Sequence, residues 1–314
     1  MSPSPLPQLD AEVFLADGGL ETTLVFDDGI DLPDFAAFGL LADAAGRQAM
    51  VRYYDSYAEI AVRSGVGIVL DTPTWRASTD WSARQGLSPE DLIRLNHDAV
   101  ALLMETRRRH QTPTTPVVVS GCIGPRGDGY QPGELMSVEE ARSYHGLQAR
   151  AFAEAGVDQI TAITMTHSAE AQGVVEAAQA VGLPVVISFT VETDGTLPSG
   201  EGLGAAIEAV DAATGAYAAY YMVNCAHPDH FAPALDPAQA WTKRIGGIRA
   251  NASRMSHEEL DNAEELDRGD PAELGQLYRD LRAVHPHITV LGGCCGTDHN
   301  HVAAISAANV GAPA

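Results

Sequence analysis

The residues best suited to chemistry in this chain are its thiols. The 314 residues include four cysteines, Cys122, Cys225, Cys294 and Cys295. Two are adjacent and flanked by glycines, in Gly292-Gly293-Cys294-Cys295-Gly296, and Cys225 follows Asn224. Adjacent cysteines bridge each other only through a strained peptide, so a disulfide framework explains them poorly. A redox dithiol usually takes a Cys-x-x-Cys at a helix start, and the sequence has none. A structural zinc site normally takes four ligands, whereas three cysteines here are plausible ones. Three thiolates around a tetrahedral ion leave its fourth position open, the mark of a catalytic rather than a structural metal. A lone cysteine is most often a small buried hydrophobe, and Cys122 is read that way.

Thiols so far apart in the chain meet only if the fold brings them together. Short runs rich in Val and Ile alternate with helical patterns along the whole sequence. The runs are Val13–Ala16, Gly67–Leu70, Pro116–Ser120, Gln159–Ile163, Val185–Phe189, Ala219–Val223, Arg244–Arg249 and Ile288–Leu291. Helical patterns are expected over Arg47–Ser64, from Ser88 to Arg109, from Ser137 to Glu154, and over Ser168–Ala180, Leu203–Val210, Pro271–Val284 and Asn300–Ala308. Ser88 before Pro89 marks a helix start, and Ser137 with Glu140 forms a capping box. Continuous apolar runs indicate parallel strands buried on both faces. Eight strand–helix units predict an α/β fold, a closed (β/α)8 TIM barrel over residues 1–314 as one domain, with an open doubly wound sheet as the alternative.

In such a barrel the chemistry lies at the C-terminal ends of the strands. Those ends supply Asp17, Thr72, Cys122, Thr164, Cys225, Asn251 and the Cys294-Cys295 pair. The sixth and eighth strands have only one neighbour between them, so Cys225, Cys294 and Cys295 are expected to converge on one ion.

Composition narrows the classes further. Hydrophobic residues make up 45% and charged residues 19%, enough for a large core and unlike a disordered chain. The formal net charge of −23 repels phosphate backbones and anionic lipid, which argues against nucleic acid or a membrane surface as partner. No apolar run approaches the roughly 18 residues of a membrane span. Met1–Leu9 lacks a basic stretch followed by an apolar one, so residues 1–10 are read as a disordered lead-in rather than a secretory signal. The expected location is the cytoplasm, where thiols stay reduced.

Asp17-Gly18-Gly19 with Glu21-Thr22, Asn224-Cys225 with His227-Pro228, and Gly292–Thr297 together resemble the zinc-dependent homocysteine S-methyltransferases. That group includes the S-methylmethionine- and betaine-dependent enzymes and the homocysteine domain of cobalamin-dependent methionine synthase. The resemblance runs from about Val13 to Ala308. It implies a (β/α)8 barrel with Zn2+ held by Cys225, Cys294 and Cys295. It also implies that Asp17, Gly18 and Thr72 hold the amino-acid part of homocysteine. The partners it implies are small molecules: a thiol acceptor, and a methyl donor such as an S-methylmethionine-like sulfonium or a betaine-like ammonium. Zinc would ionise a thiol whose pKa is otherwise near 8.5. No catalytic residue is assigned beyond that activation. The alternatives are the same chemistry on another thiol or selenol, and a non-catalytic zinc-binding or redox-sensing barrel.

Two departures from the family pattern bear on the substrate. Many members carry a Glu at the end of the fourth strand that engages the homocysteine amino group. Here the segment reads Ala162-Ile163-Thr164-Met165-Thr166, with Ile163 in that place. Glu192, just past the fifth strand, is a candidate substitute, with a solvated loop charge as the competing role. Arg76 beside Trp75 would favour a carboxylate over a cationic donor. Trp75 and Trp81 are candidates either to stack on a cationic methyl donor or simply to close the barrel rim. His227, His299 and His301 are expected to support the cysteines or helix starts rather than bind metal.

Overall fold

Each Val/Ile-rich run forms a parallel strand, because β-branched side chains suit a pleated surface covered on both faces. The strands are β1 (Phe14–Ala16), β2 (Gly67–Asp71), β3 (Val117–Ile123), β4 (Gln159–Met165), β5 (Val185–Thr190), β6 (Tyr220–Asn224), β7 (Ile245–Ala250) and β8 (Val290–Gly293). They hydrogen-bond in sequence order, and β8 closes on β1 through Phe14–Val290 and Leu15–Leu291. This computed structural model describes residues 6–263 and 265–311, and its architecture is the expected (β/α)8 barrel.

The helices are α1 (Leu20–Phe26), α2 (Ala44–Ser64), α3 (Thr79–Arg84), α4 (Pro89–His110), α5 (Val138–Ala155), α6 (Ser168–Val181), α7 (Leu203–Thr214), α8 (Pro228–Phe231), α9 (His257–Asp261), α10 (Pro271–Val284) and α11 (His299–Asn309). Their starts follow local chemistry. Ser88 caps α4 and Ser137 caps α5, each in a full capping box. Asp270 accepts from the Ala272 and Glu273 amides ahead of α10. Among the described residues, no helix is long and apolar enough to cross a membrane.

Two buried clusters carry the fold. The larger packs the helices against the outer face of the sheet, with Tyr54, Phe38, Phe152 and Phe189 among its fully buried members. The smaller fills the barrel interior with Phe14, Val69, Val118, Val186, Tyr220, Met222 and Val290. The expected lead-in needs correction. Its residues 1–5 lie outside the described residues, but Pro7–Leu9 forms a 3-10 turn and Leu6 and Gln8 are buried. Gln8 Nε2 donates to Gln159 Oε1 at 2.6 Å, so this segment closes the barrel floor instead of trailing from it.

Candidate metal and substrate site

The sulfur cluster is built from two strand ends. β6 stops at Asn224, and the next residue, Cys225, has φ +52°, a left-handed conformation that costs a non-glycine residue of order 1 kcal/mol or more. Neighbours hold it there. The Cys225 N–H donates to the Arg249 carbonyl at 3.2 Å, and His257 Nε2 donates to the Cys225 carbonyl at 2.7 Å. β8 stops at Gly293, and the following turn is tied down by Cys294 N–H to Ala250 O, 2.9 Å, and Thr297 Oγ1 to Cys294 O, 2.7 Å. Gly19 packs against that turn so closely that a Cβ there would lie 2.6 Å from the Cys294 carbonyl oxygen.

Cys225, Cys294 and Cys295 have their Sγ atoms all within 4.8 Å of one another. Cys225 and Cys294 are in sulfur–sulfur contact, with Cα atoms 5.4 Å apart, and Cys295 Sγ is 3.9 Å from Cys225 Sγ. Burial pushes the Cys295 thiol up, so a thiolate there calls for a cation beside it. Three soft donors around one point fit a tetrahedral ion such as Zn2+. Among the described residues, no fourth His, Cys, Asp or Glu joins the group. Cys122 stands outside it, buried in β3, with its thiol held well above the ordinary value by that burial.

Asn224 is a clamp beneath the sulfurs. Its Oδ1 accepts from Ser188 Oγ at 2.6 Å and from the Thr164 N–H at 3.0 Å, and its Nδ2 donates to Thr164 Oγ1 at 2.9 Å. Nδ2 also reaches Cys294 Sγ at 3.8 Å. Thr164 is itself left-handed, φ +65°, where the β4–β5 register shifts between Ala162 and Met165. That irregularity turns the end of β4 toward the cavity, with Ile163 on its lining. On the other side, Tyr130 OH lies 3.4 Å from Cys295 Sγ, and its ring stacks on His257 at 4.1 Å.

Glu192 does not line the cavity, which corrects the expectation that it replaces the missing acid. Its Oε1 meets His257 Nδ1 at 3.1 Å, so it orients the imidazole that holds the Cys225 carbonyl. The other expected substrate residues are on the cavity wall but already engaged. Asp17 Oδ1 pairs with Arg249 Nη2 at 2.6 Å, Asp17 Oδ2 accepts from Tyr53 OH, and Arg249 Nη1 pairs with Asp71. Burial raises Asp17 to about 6 despite the opposing pull of Arg249. The Gly18 carbonyl accepts from Tyr53 OH at 2.8 Å. Thr72 Oγ1 accepts from the Cys122 N–H and meets Thr74 Oγ1, joining the ends of β2 and β3. Trp75 lines the cavity, while the Arg76 guanidinium lies 4.8 Å from its ring centroid and 3.9 Å from that of Trp81. Arg76 also donates to the Asp34 carbonyl and faces Asp128 at 3.6 Å, so its charge is met at the rim.

The cavity has a volume of about 430 Å³, a size suited to small metabolites. Sequence reasoning missed three of its supports. His257 carries no motif of its own, Arg249 reads as part of a strand, and Glu21 as part of the Asp17–Thr22 signature. His227 and His301 act as expected at the starts of α8 and α11, accepting from the backbone N–H groups of Asp229 and Asp298, and His299 opens α11. Burial lowers His227 to about 4.

Burial raises the Glu21 carboxyl from its ordinary value to about 7. An acid whose folded pKa is raised loses stabilising weight as pH climbs from the unfolded value, near 4.5, through 7. Replacing it with glutamine removes that loss. Glu21→Gln is therefore expected to be more stable than the parent at pH 8, by up to about 3 kcal/mol, and equal to it near pH 4. Denaturant titrations at the two pH values check both halves.

Residues 14–309 match the family model described as homocysteine S-methyltransferase. Homocysteine S-methyltransferase 1 of Arabidopsis thaliana is 26% identical, over 93% of this chain and 92% of its own length. Homocysteine S-methyltransferase 3 of the same plant is 20% identical, over 78% and 76%. The homocysteine methyltransferase MmuM of Escherichia coli superposes in an oxidized form with a TM-score of 0.77 and in a metallated form with 0.76. Both are at 20% identity and cover 95% of this chain and 96% of that one.

Proposed function

Because the chain belongs to the homocysteine S-methyltransferase family, we propose that it transfers a methyl group from a small cationic donor to the sulfur of homocysteine, giving methionine, with Zn2+ held by Cys225, Cys294 and Cys295. The observation that carries this reading is the set of three thiols, without a fourth protein ligand among the described residues, on the wall of a cavity at the C-terminal end of the barrel. The missing fourth ligand also disfavours a purely structural or sensing role. When bound, Zn2+ supplies the positive charge that keeps a thiol ionised at neutral pH.

The chain's own residues do the rest. Asn224, Thr297 and His257 hold the turns that aim the sulfurs. Asp17, Gly18 and Thr72 form the rigid inner wall against which the acceptor packs, their polar groups fixed by Arg249, Tyr53 and Cys122. Asp261, Glu265 and Asp267 also line the cavity, besides the Asp128 that faces Arg76. That excess of carboxylates supports a sulfonium or quaternary ammonium donor, since Arg76 is already matched by Asp128 and the two tryptophans. Trp75 adds an apolar wall that excludes water from the methyl group in flight. A reducing compartment such as the cytoplasm suits three clustered thiols.

A second reading keeps the metal and changes the thiol, and Ile163 on the cavity wall is what favours it. Methyl transfer from S-methylmethionine to homocysteine, cysteine and simple alkyl thiols separates the two. Methionine formation well above methylation of the other thiols is the expected result. Equal rates on all thiols would favour the second reading, and no transfer to any would overturn both.

A further inference from the structure

Glu21 stands out among the inner carboxylates of the cavity. Asp17 and Asp71 are both committed to Arg249, a buried guanidinium that also donates to the Gly293 carbonyl at 3.1 Å. Glu21 lines the same cavity and, among the described residues, no cation lies within ion-pair distance of it. Glu21 is half-buried and feels Arg76 and Arg249 only from beyond ion-pair distance, so it is the inner carboxylate still open to a partner of its own.

Its position is fixed relative to the sulfurs. The first turn of α1 is held against the two-cysteine turn from both sides. The Gly296 N–H donates to Thr22 Oγ1 at 3.2 Å, and the Gly19 N–H donates to the Thr297 carbonyl at 3.0 Å. Glu21 lies between these two anchors, two residues after Gly19 and one before Thr22. Across the cavity, the end of β4 offers Ile163, which has no charge to give.

Resting on the methyl-transfer reading, we infer that Glu21 receives the ammonium group of an α-amino-acid thiol whose sulfur sits at the three cysteines. In homocysteine, three carbons separate sulfur from nitrogen, so one rigid wall can serve both ends. The acceptor class is then an amino thiol, chosen by a carboxylate on the first helix rather than on the fourth strand. Bringing an ammonium to Glu21 supplies the close counter-charge that neither Arg76 nor Arg249, each engaged with other carboxylates, provides.

The test is calorimetric binding of two thiols to the zinc-loaded protein in the absence of donor: homocysteine and 4-mercaptobutyrate, which keeps the thiol and carboxylate and lacks the ammonium. The parent is expected to prefer homocysteine by about 10- to 100-fold, the range of one charge-assisted bond. Glu21→Gln is expected to lose that preference through weaker homocysteine binding, with 4-mercaptobutyrate affinity and zinc content unchanged. Glu21→Asp is expected to restore part of it. Equal weakening of both thiols in Glu21→Gln would mark Glu21 as merely structural and overturn the inference. Equal affinity of the parent for both would overturn it while leaving methyl transfer standing, and binding of neither would overturn both.

Discussion

Cys225→Ser is expected to lose bound zinc and methyl transfer together. Only three protein donors converge on the site among the described residues, so one substitution removes a third of the donor set. A serine hydroxyl stays protonated and is a poor ligand for a soft ion. Removing groups that merely orient a ligand costs about 10- to 100-fold in metal affinity, so loss of a ligand itself is expected to exceed 100-fold. Metal analysis after gel filtration should fall from about one zinc per chain to below about 0.1. The fold should survive, because the bonds that hold residue 225 use its backbone: N–H to Arg249 and carbonyl to His257. Unchanged zinc in a folded variant would rule the site out.

The largest stability effect is expected at Arg249. Its guanidinium joins Asp17 on β1's end to Asp71 on β2, all three nearly buried, from a position on β7. Arg249→Met keeps the volume and leaves two carboxylates without their cation. Breaking a buried pair this way costs about 3–5 kcal/mol, because the remaining charge is stranded. The deficit should depend on pH in a defined direction. Asp17 already sits at about 6 with Arg249 present, and without it loses the largest of the influences holding it down, keeping only the Tyr53 hydrogen bond. An acid raised in the folded state is penalised as pH rises above its unfolded value. The variant should therefore approach parental stability near pH 4 and fall furthest behind above pH 7. Urea titrations at both values read this out. Adding Asp17→Asn and Asp71→Asn to the variant should recover much of the loss at high pH.

Features set by local chemistry were legible in the sequence. The Val/Ile runs gave the strands, Ser88 and Ser137 gave helix starts, and α10 was read to its residue limits. The cysteines were legible because a closed barrel sets the ends of β6 and β8 one strand apart. Short helices such as α1 and α3 escaped, since one or two turns show little periodicity. The network at the mouth escaped for another reason. Whether Arg249 meets Asp17 and Asp71, or Glu192 meets His257, depends on which side chains face one another across the barrel end. No spacing along the chain records that. Glu192 reads as a substitute for the acid missing at Ile163 because it stands just past the fifth strand, and only its contact with His257 gives it a different role. Gln8 reads as part of a disordered lead-in because that stretch has Pro and Ser and no apolar run, yet its amide fills the barrel floor.

The segment after β7 supplies Asp261, Glu265 and Asp267 to the cavity, while the sulfurs come from β6 and β8 on either side of that strand. Its ends are pinned by Asn251 N–H to the Ala226 carbonyl and by the Asp270 cap of α10. One segment thus serves both ends of the cavity. Its carboxylates Asp261, Glu265 and Asp267 can change in charge without touching the sulfurs, but its length is tied to His257, which holds the Cys225 carbonyl, and to Ala252, whose N–H donates to the Cys295 carbonyl. Charge at the mouth is therefore adjustable while the path of the loop is fixed by the cysteine turns.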